Sequence, residues 1–161
     1  RFIPTYFMHT LSFVETANLY VEEGRKHGVE YALGQNQNIV RWPHITKSRE
    51  EYVQRLLDYD LDIYKNFYGP FFPQFPNSAD ESEYLASMEK SGIFIGGTVE
   101  ESIRQWKELF DQVPSEYITL IWHWAQVPKE VMMEELQLFM DKVLPELEIP
   151  DFEPIPAVAA E

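Results

Sequence analysis

The chain contains no cysteine. Disulfides, thiolate nucleophiles and cysteine-based metal sites are therefore excluded, and the composition fits a reducing, cytoplasmic setting. Basic residues are scarce: 13 Lys and Arg stand against 27 Asp and Glu, a formal charge of −14. A surface that acidic repels phosphate backbones and anionic headgroups, so neither nucleic acid nor a membrane is an expected partner. No apolar run approaches the ~20 residues that span a bilayer, and no signal peptide is visible. His9, His27, His44 and His123 lack the spacing and the cysteine neighbours of a metal site, so no metal is expected. There is no P-loop, no glycine-rich dinucleotide fingerprint and no G-x-S-x-G nucleophile elbow.

What is present is apolar and aromatic: 45% hydrophobic and 15% aromatic residues over 161 positions, enough to bury one sizeable core. Phe2 to Met8 reads as a short strand with Pro4 near its start. Ser12-Phe13-Val14-Glu15 has the form of a capping box, and the helix it opens should end at Gly28. Asn38 to Ile45 reads as a second strand, irregular at Pro43. Ser48-Arg49-Glu50-Glu51 is a second capping box. Tyr52, Leu56, Tyr59, Ile63 and Phe67 follow it at helical spacing.

Residues 69–92, beginning Gly69-Pro70-Phe71-Phe72-Pro73, cannot hold a regular ladder. They read as an insertion, a lid over a site or a packed Ω-loop, with a short helix from Glu81 to Lys90. Ile93-Phe94-Ile95 is a short strand broken by Gly96-Gly97. Thr98 to Glu101 is a third capping box, whose helix buries Val99, Ile103, Trp106 and Phe110. Tyr117 to Trp124 is the strongest strand pattern. Val127-Pro128-Lys129-Glu130 opens the last helix, with Leu136, Phe139, Met140 and Val143 as its inner stripe. Glu-rich helical faces are expected in solvent. Residues 149–161, with Pro150, Pro154 and Pro156, form an extended tail.

Strands alternating with helices predict parallel βα units of an α/β fold. Right-handed crossovers set every strand C-terminus on one face. The length falls short of the ~250 residues of a complete (β/α)₈ barrel. The order therefore has a barrel's grammar over part of a barrel's length. A doubly wound sheet remains an alternative, and it would need a pocket at its switch point.

Several runs, taken in order, resemble the C-terminal end of the bacterial-luciferase-like flavin monooxygenase family. They are Ile95-Gly96-Gly97-Thr98-Val99-Glu100-Glu101-Ser102-Ile103, Glu116 to Leu120, Val127 to Glu130, and Leu138-Phe139-Met140-Asp141-Lys142-Val143-Leu144-Pro145. Upstream, Tyr20 to Gly28 and Arg41 to Glu51 are similar to earlier parts of that family. Val99 stands where the family often has proline.

The resemblance implies the C-terminal βα units, roughly the sixth to eighth, of a TIM-type (β/α)₈ barrel that is incomplete in residues 1–148. It implies reduced FMN, or F420, as cofactor, and a flavin-dependent oxidoreductase, most simply a monooxygenase using oxygen on a small organic substrate. The family's early strands have no counterpart here. The remainder would come from an N-terminal half, from another chain or from a homo-oligomer. A non-catalytic subunit that completes a barrel with another chain is the alternative, and the isolated chain should bind FMN poorly.

In such a barrel the active site lies at the C-terminal ends of the strands, near Met8, His9, Trp42, His44, Trp122, His123 and Trp124. His44 and His123 are the candidate catalytic groups, suited by a near-neutral pKa to proton donation. Met8, His9, Trp42, Trp122 and Trp124 are candidates for a substrate or flavin pocket. Strand alternation favours Trp42 with His44 and leaves His123 or the Trp122/Trp124 pair open at the last strand. Gly96, Gly97 and Thr98 open a helix and could hold a cofactor phosphate, although Glu100 and Glu101 oppose one. Arg41 reads as a partner in a surface ion pair.

Overall fold

A computed structural model of the chain describes residues 5–6, 10–71, 80–122 and 127–153. Its element order is β1 (Thr5–Tyr6), α1 (Thr10–Lys26), β2 (Asn38–Ile45), α2 (Arg49–Arg55), α3 (Glu81–Ser91), β3 (Phe94–Gly97), α4 (Val99–Phe110), β4 (Tyr117–Leu120) and α5 (Lys129–Leu138). π-helical turns extend α2 over Leu56–Asp60 and Ile63–Tyr68, and extend α5 over Phe139–Val143. No described helix is long and apolar enough to cross a membrane.

Every strand pairing is parallel, and β2 takes part in all of them. β3 runs beside Trp42–Ile45, and β4 beside Asn38–Arg41. The hydrogen bonds show which edge each strand uses. Trp42 N donates to Ile93 O, whereas Arg41 O accepts from Ile121 N. These two groups belong to one trans peptide and point in opposite directions. β3 and β4 therefore flank β2 on opposite sides. β1 pairs with Asn38 and Ile39, as β4 does, so it lies on the edge that β3 uses.

This order reverses the direction of winding at β2. Crossovers of one hand must then alternate between the two faces of the sheet, and the core follows that rule. Odd-numbered Ile39, Ile45 and Ile95 pack with Phe13 and Ala17 of α1 and with Trp106, Leu109 and Phe110 of α4. Even-numbered Trp42 and Phe94 pack with Tyr52 of α2, Leu56 and Tyr64 beyond it, and Tyr84 and Met88 of α3. A barrel wall keeps consecutive strands adjacent and carries its helices on the outer face alone. The parallel βα grammar is present, but the described residues form an open sheet covered on both faces, and no closed ring is seen among them.

Local chemistry accounts for several elements. The Thr98 capping box is complete: Thr98 N donates to Glu101 Oε2 at 2.8 Å, and Glu101 N donates to Thr98 Oγ1 at 3.3 Å. Ser48 caps α2 in half of the expected way, because the Glu51 carboxylate accepts from Lys47 N and not from Ser48 N. Ser12 does not start α1, which already begins at Thr10. Gly96 does not break its strand. It lies within β3 so close to β2 that an added Cβ would stand 2.3 Å from His44 O and 2.4 Å from the Tyr52 ring. Arg41 is not on the surface: it is fully buried, its Nη1 donates to Val40 O, and its guanidinium lies over the Phe13 ring. Burial pulls the Arg41 pKa down to about 9.

The residues expected as a lid divide. Gly69–Phe71 form a 3₁₀ turn, α3 buries Tyr84 and Met88 against the sheet, and residues 72–79 lie outside the described residues.

Candidate functional site

A cavity of about 520 Å³ opens at the C-terminal ends of β2 and β3, a size typical of small-molecule sites. Its floor is Ile45 and Thr46, and its sides are α2, the start of α4, and α5. It therefore sits where the chain reverses across β2. In open α/β sheets that is the crevice in which ligands bind. Ile45, Val99, Val131 and Leu138 give it an apolar wall, and Lys47 and Arg55 face Glu51, Glu100, Glu134 and Glu135 around the rest.

Beside the cavity a buried polar network ties four elements together. His44 ends β2 on the even face and is 2% exposed. Its Nε2 lies 2.8 Å from Asp60 Oδ2 and its Nδ1 lies 2.9 Å from Glu135 Oε2. Trp122 Nε1, just past β4, donates to the same Glu135 oxygen at 2.8 Å. Both ring nitrogens can donate at once only when the imidazole is protonated. Burial alone would lower its pKa. The hydrogen bonds and negative charges of Asp60 and Glu135 outweigh burial and raise it to about 9. His44 is thus an imidazolium at neutral pH, held between two carboxylates. Removing one member of such a buried set typically costs ~3–5 kcal/mol, because the remaining charges lose their counterion. The carboxylates lie on opposite sides of the ring and do not converge on one point, and no potential metal cluster occurs among the described residues.

Arg55 links the network to the cavity. Its Nη2 donates to Glu51 Oε1 at 3.3 Å, and its Nε lies 3.8 Å from Glu135 Oε1. That separation is attractive but too long for a hydrogen bond. Arg55 Nε and Glu135 Oε1 are both buried with no hydrogen-bond partner, a cost of roughly 1–3 kcal/mol for each such group.

The expected site residues fall into three groups. His44 and Trp122 are brought together, at the ends of strands that flank the cavity, but as members of this network. Both His44 nitrogens face carboxylates and not open space. Trp42 lies deeper, stacked on Phe94 with ring centroids 5.5 Å apart and edge-on to Tyr68, and is not on the cavity wall. Met8, His9, His123 and Trp124 lie outside the described residues.

Gly96, Gly97 and Thr98 do open α4 beside the cavity, but its first turn is already supplied with anions. Glu101 takes Thr98 N, and Glu100 is held below the usual carboxylate range by its own backbone N–H and the Thr98 side chain. A phosphate there would have to displace them.

Asp60, Glu135 and Arg55 were not expected from the sequence. Asp60 is carried inward by a π-turn, which shifts the buried face from Tyr59, Ile63 and Phe67 to Asp60, Leu61 and Tyr64 and leaves Phe67 exposed. Glu135 did leave a signal. It stands four residues after Val131 and three before Leu138, on the stripe that α5 turns inward. Of the predicted α5 stripe, Phe139 and Val143 are buried and Met140 is exposed.

No family model matches the chain, and no curated protein matches it. Among solved structures it is similar to a type II Baeyer–Villiger monooxygenase, the oxygenating constituent of 3,6-diketocamphane monooxygenase from the CAM plasmid of Pseudomonas putida, solved in complex with FMN. The TM-score is 0.68 at 14% identity, over 92% of this chain and 44% of that one. The likeness is one of fold, and the chain spans less than half the length of that structure.

Proposed function

We propose that this chain is the C-terminal portion of a flavin-dependent oxidoreductase, of the oxygen-using monooxygenase kind, acting on a small organic substrate. The observation that carries this reading is the fold likeness to an FMN-bound monooxygenase over nearly the whole chain. The location of the cavity, at the strand C-termini where the winding reverses, supports it. FMN is the flavin this likeness favours.

The described residues fit only part of such a cofactor. The wall of Ile45, Val99, Val131 and Leu138 suits an apolar ring or substrate body. The phosphate of FMN does not fit. The first turn of α4 is occupied by Glu100 and Glu101, and Glu51, Glu134 and Glu135 add like charge. We assign phosphate binding to residues beyond this chain. A flavin, when bound, supplies the electrons that activate oxygen. The role of this chain is to close one side of the pocket and keep water from it.

A second reading, a subunit that completes another chain, draws on β4. That strand pairs only with β2 among the described residues, and its side chains alternate between exposed and half-buried. An unpaired edge of this kind is a template for further pairing.

One preparation tests both readings: the protein isolated from its source with any chains that accompany it, compared with the 161-residue chain alone. Quenching of FMN fluorescence should saturate with the native preparation and be at least tenfold weaker with the chain alone. No saturable flavin binding by either preparation would end the flavin reading. Tight binding by the chain alone would overturn the phosphate assignment. Native mass measurement of the same sample should show a species heavier than this chain.

A further inference from the structure

The cavity wall carries one polar feature that the buried network leaves unused. Glu135 is 3% exposed, and its Oε2 is taken by His44 and Trp122. Its Oε1 has no hydrogen-bond partner. Arg55 Nε, 3.8 Å away, has none either. Both residues line the cavity. An acceptor and a donor therefore stand side by side at its edge, each unsatisfied and too far apart to satisfy the other.

The chemistry of that notch is selective. One atom at about 2.9 Å from both groups would complete two hydrogen bonds if it can donate and accept. A hydroxyl does this: it donates to the Glu135 carboxylate and accepts from the Arg55 N–H. A ketone oxygen could satisfy only Arg55, and an ammonium only Glu135. A carboxylate or phosphate could pair with Arg55 but would face Glu51, Glu100, Glu134 and Glu135 around the same cavity. Opposite the notch, Ile45, Val99, Val131 and Leu138 offer an apolar surface for the rest of a ligand.

We infer that the cavity takes an uncharged small molecule whose hydroxyl group bridges Arg55 Nε and Glu135 Oε1, with its apolar body against that wall. This names the substrate class for the site proposed above and rests on that site being the substrate cleft. It does not depend on flavin.

The test is an NMR titration of the natively isolated protein, without added flavin, using cyclohexanol, cyclohexanone and cyclohexanecarboxylate as probes. Cyclohexanol should bind saturably and at least tenfold more tightly than the other two, with shifts concentrated at Val131, Leu138 and the Arg55 side chain. Arg55→Met keeps the stem and removes the donor, so it should weaken cyclohexanol about tenfold and leave cyclohexanone within threefold. Val131→Trp fills the cavity and should abolish binding of all three.

Equal or better binding of the carboxylate would overturn the inference. So would cyclohexanol binding that ignores Arg55→Met, and so would no probe binding at all. The probe series on the unsubstituted protein decides the matter even if a variant fails to fold. Loss of probe binding alongside intact FMN binding rejects the substrate class alone. The converse rejects the flavin reading alone.

Discussion

Raising the pH from 6 to 9 should remove a measurable share of this protein's stability through His44 alone. In the unfolded chain an imidazole titrates near 6.5. In the folded protein the carboxylates of Asp60 and Glu135 hold it protonated up to about 9. A group whose folded pKa is raised contributes its full stabilisation below the unfolded pKa and loses it as pH climbs through the folded one. The window here is therefore ~6.5 to 9. At ~1.4 kcal/mol for each pH unit of difference, the full span amounts to about 3 kcal/mol.

Urea unfolding at half-unit pH intervals, of the protein and of a His44→Gln variant, isolates the contribution as the difference between the two curves. The variant should be less stable at pH 6, and the gap should narrow steadily toward pH 9. Arg41 acts with the opposite sign, because burial lowers its pKa, but only from about 9 upward, so it does not enter the window. If His44→Gln does not fold, ¹⁵N chemical shifts of the His44 ring should keep imidazolium values through pH 8. A flat difference curve, or a ring that titrates near 6.5, would refute the paired-carboxylate reading.

Two further substitutions probe the same region. Gly96→Ala should destabilise the protein by roughly 3 kcal/mol, because its Cβ would meet the His44 carbonyl at 2.3 Å and the Tyr52 ring at 2.4 Å. An unchanged urea midpoint would contradict the close approach of β2 and β3. Trp122→Phe keeps a ring but deletes the N–H that reaches Glu135. It should cost about 2 kcal/mol, the range for a hydrogen bond to a charged acceptor, measured as the shift in unfolding free energy at pH 7.

Locally encoded features were legible in the sequence. The Thr98 box, the bounds of β2 and the inward face of α4 depend on neighbours within four residues, and each is found as read. The order of strands was not legible. Whether β4 pairs beside β3 or across β2 depends on which edge each strand's hydrogen bonds face, and composition does not report that. The network around His44 was half legible. A histidine at a strand end is visible in the sequence, but its partners come from three separate segments. Two of those partners, Asp60 and Glu135, look like ordinary surface carboxylates until a π-turn and an inward helical stripe bring them together. Arg41 failed for a related reason: an arginine within a strand pattern reads as a surface residue unless its position in the pleat is known.

The π-turn at Leu56–Asp60 bears on how this region can change in length. An i→i+5 turn holds one more residue than the α-turn it replaces, so it is where a single-residue insertion would be absorbed. Deleting one residue there would let the segment relax to an ordinary helix, rotating everything downstream by about 100°. Asp60 would swing away from His44, and a single codon would separate a neutralised histidine from one left with half its counter-charge.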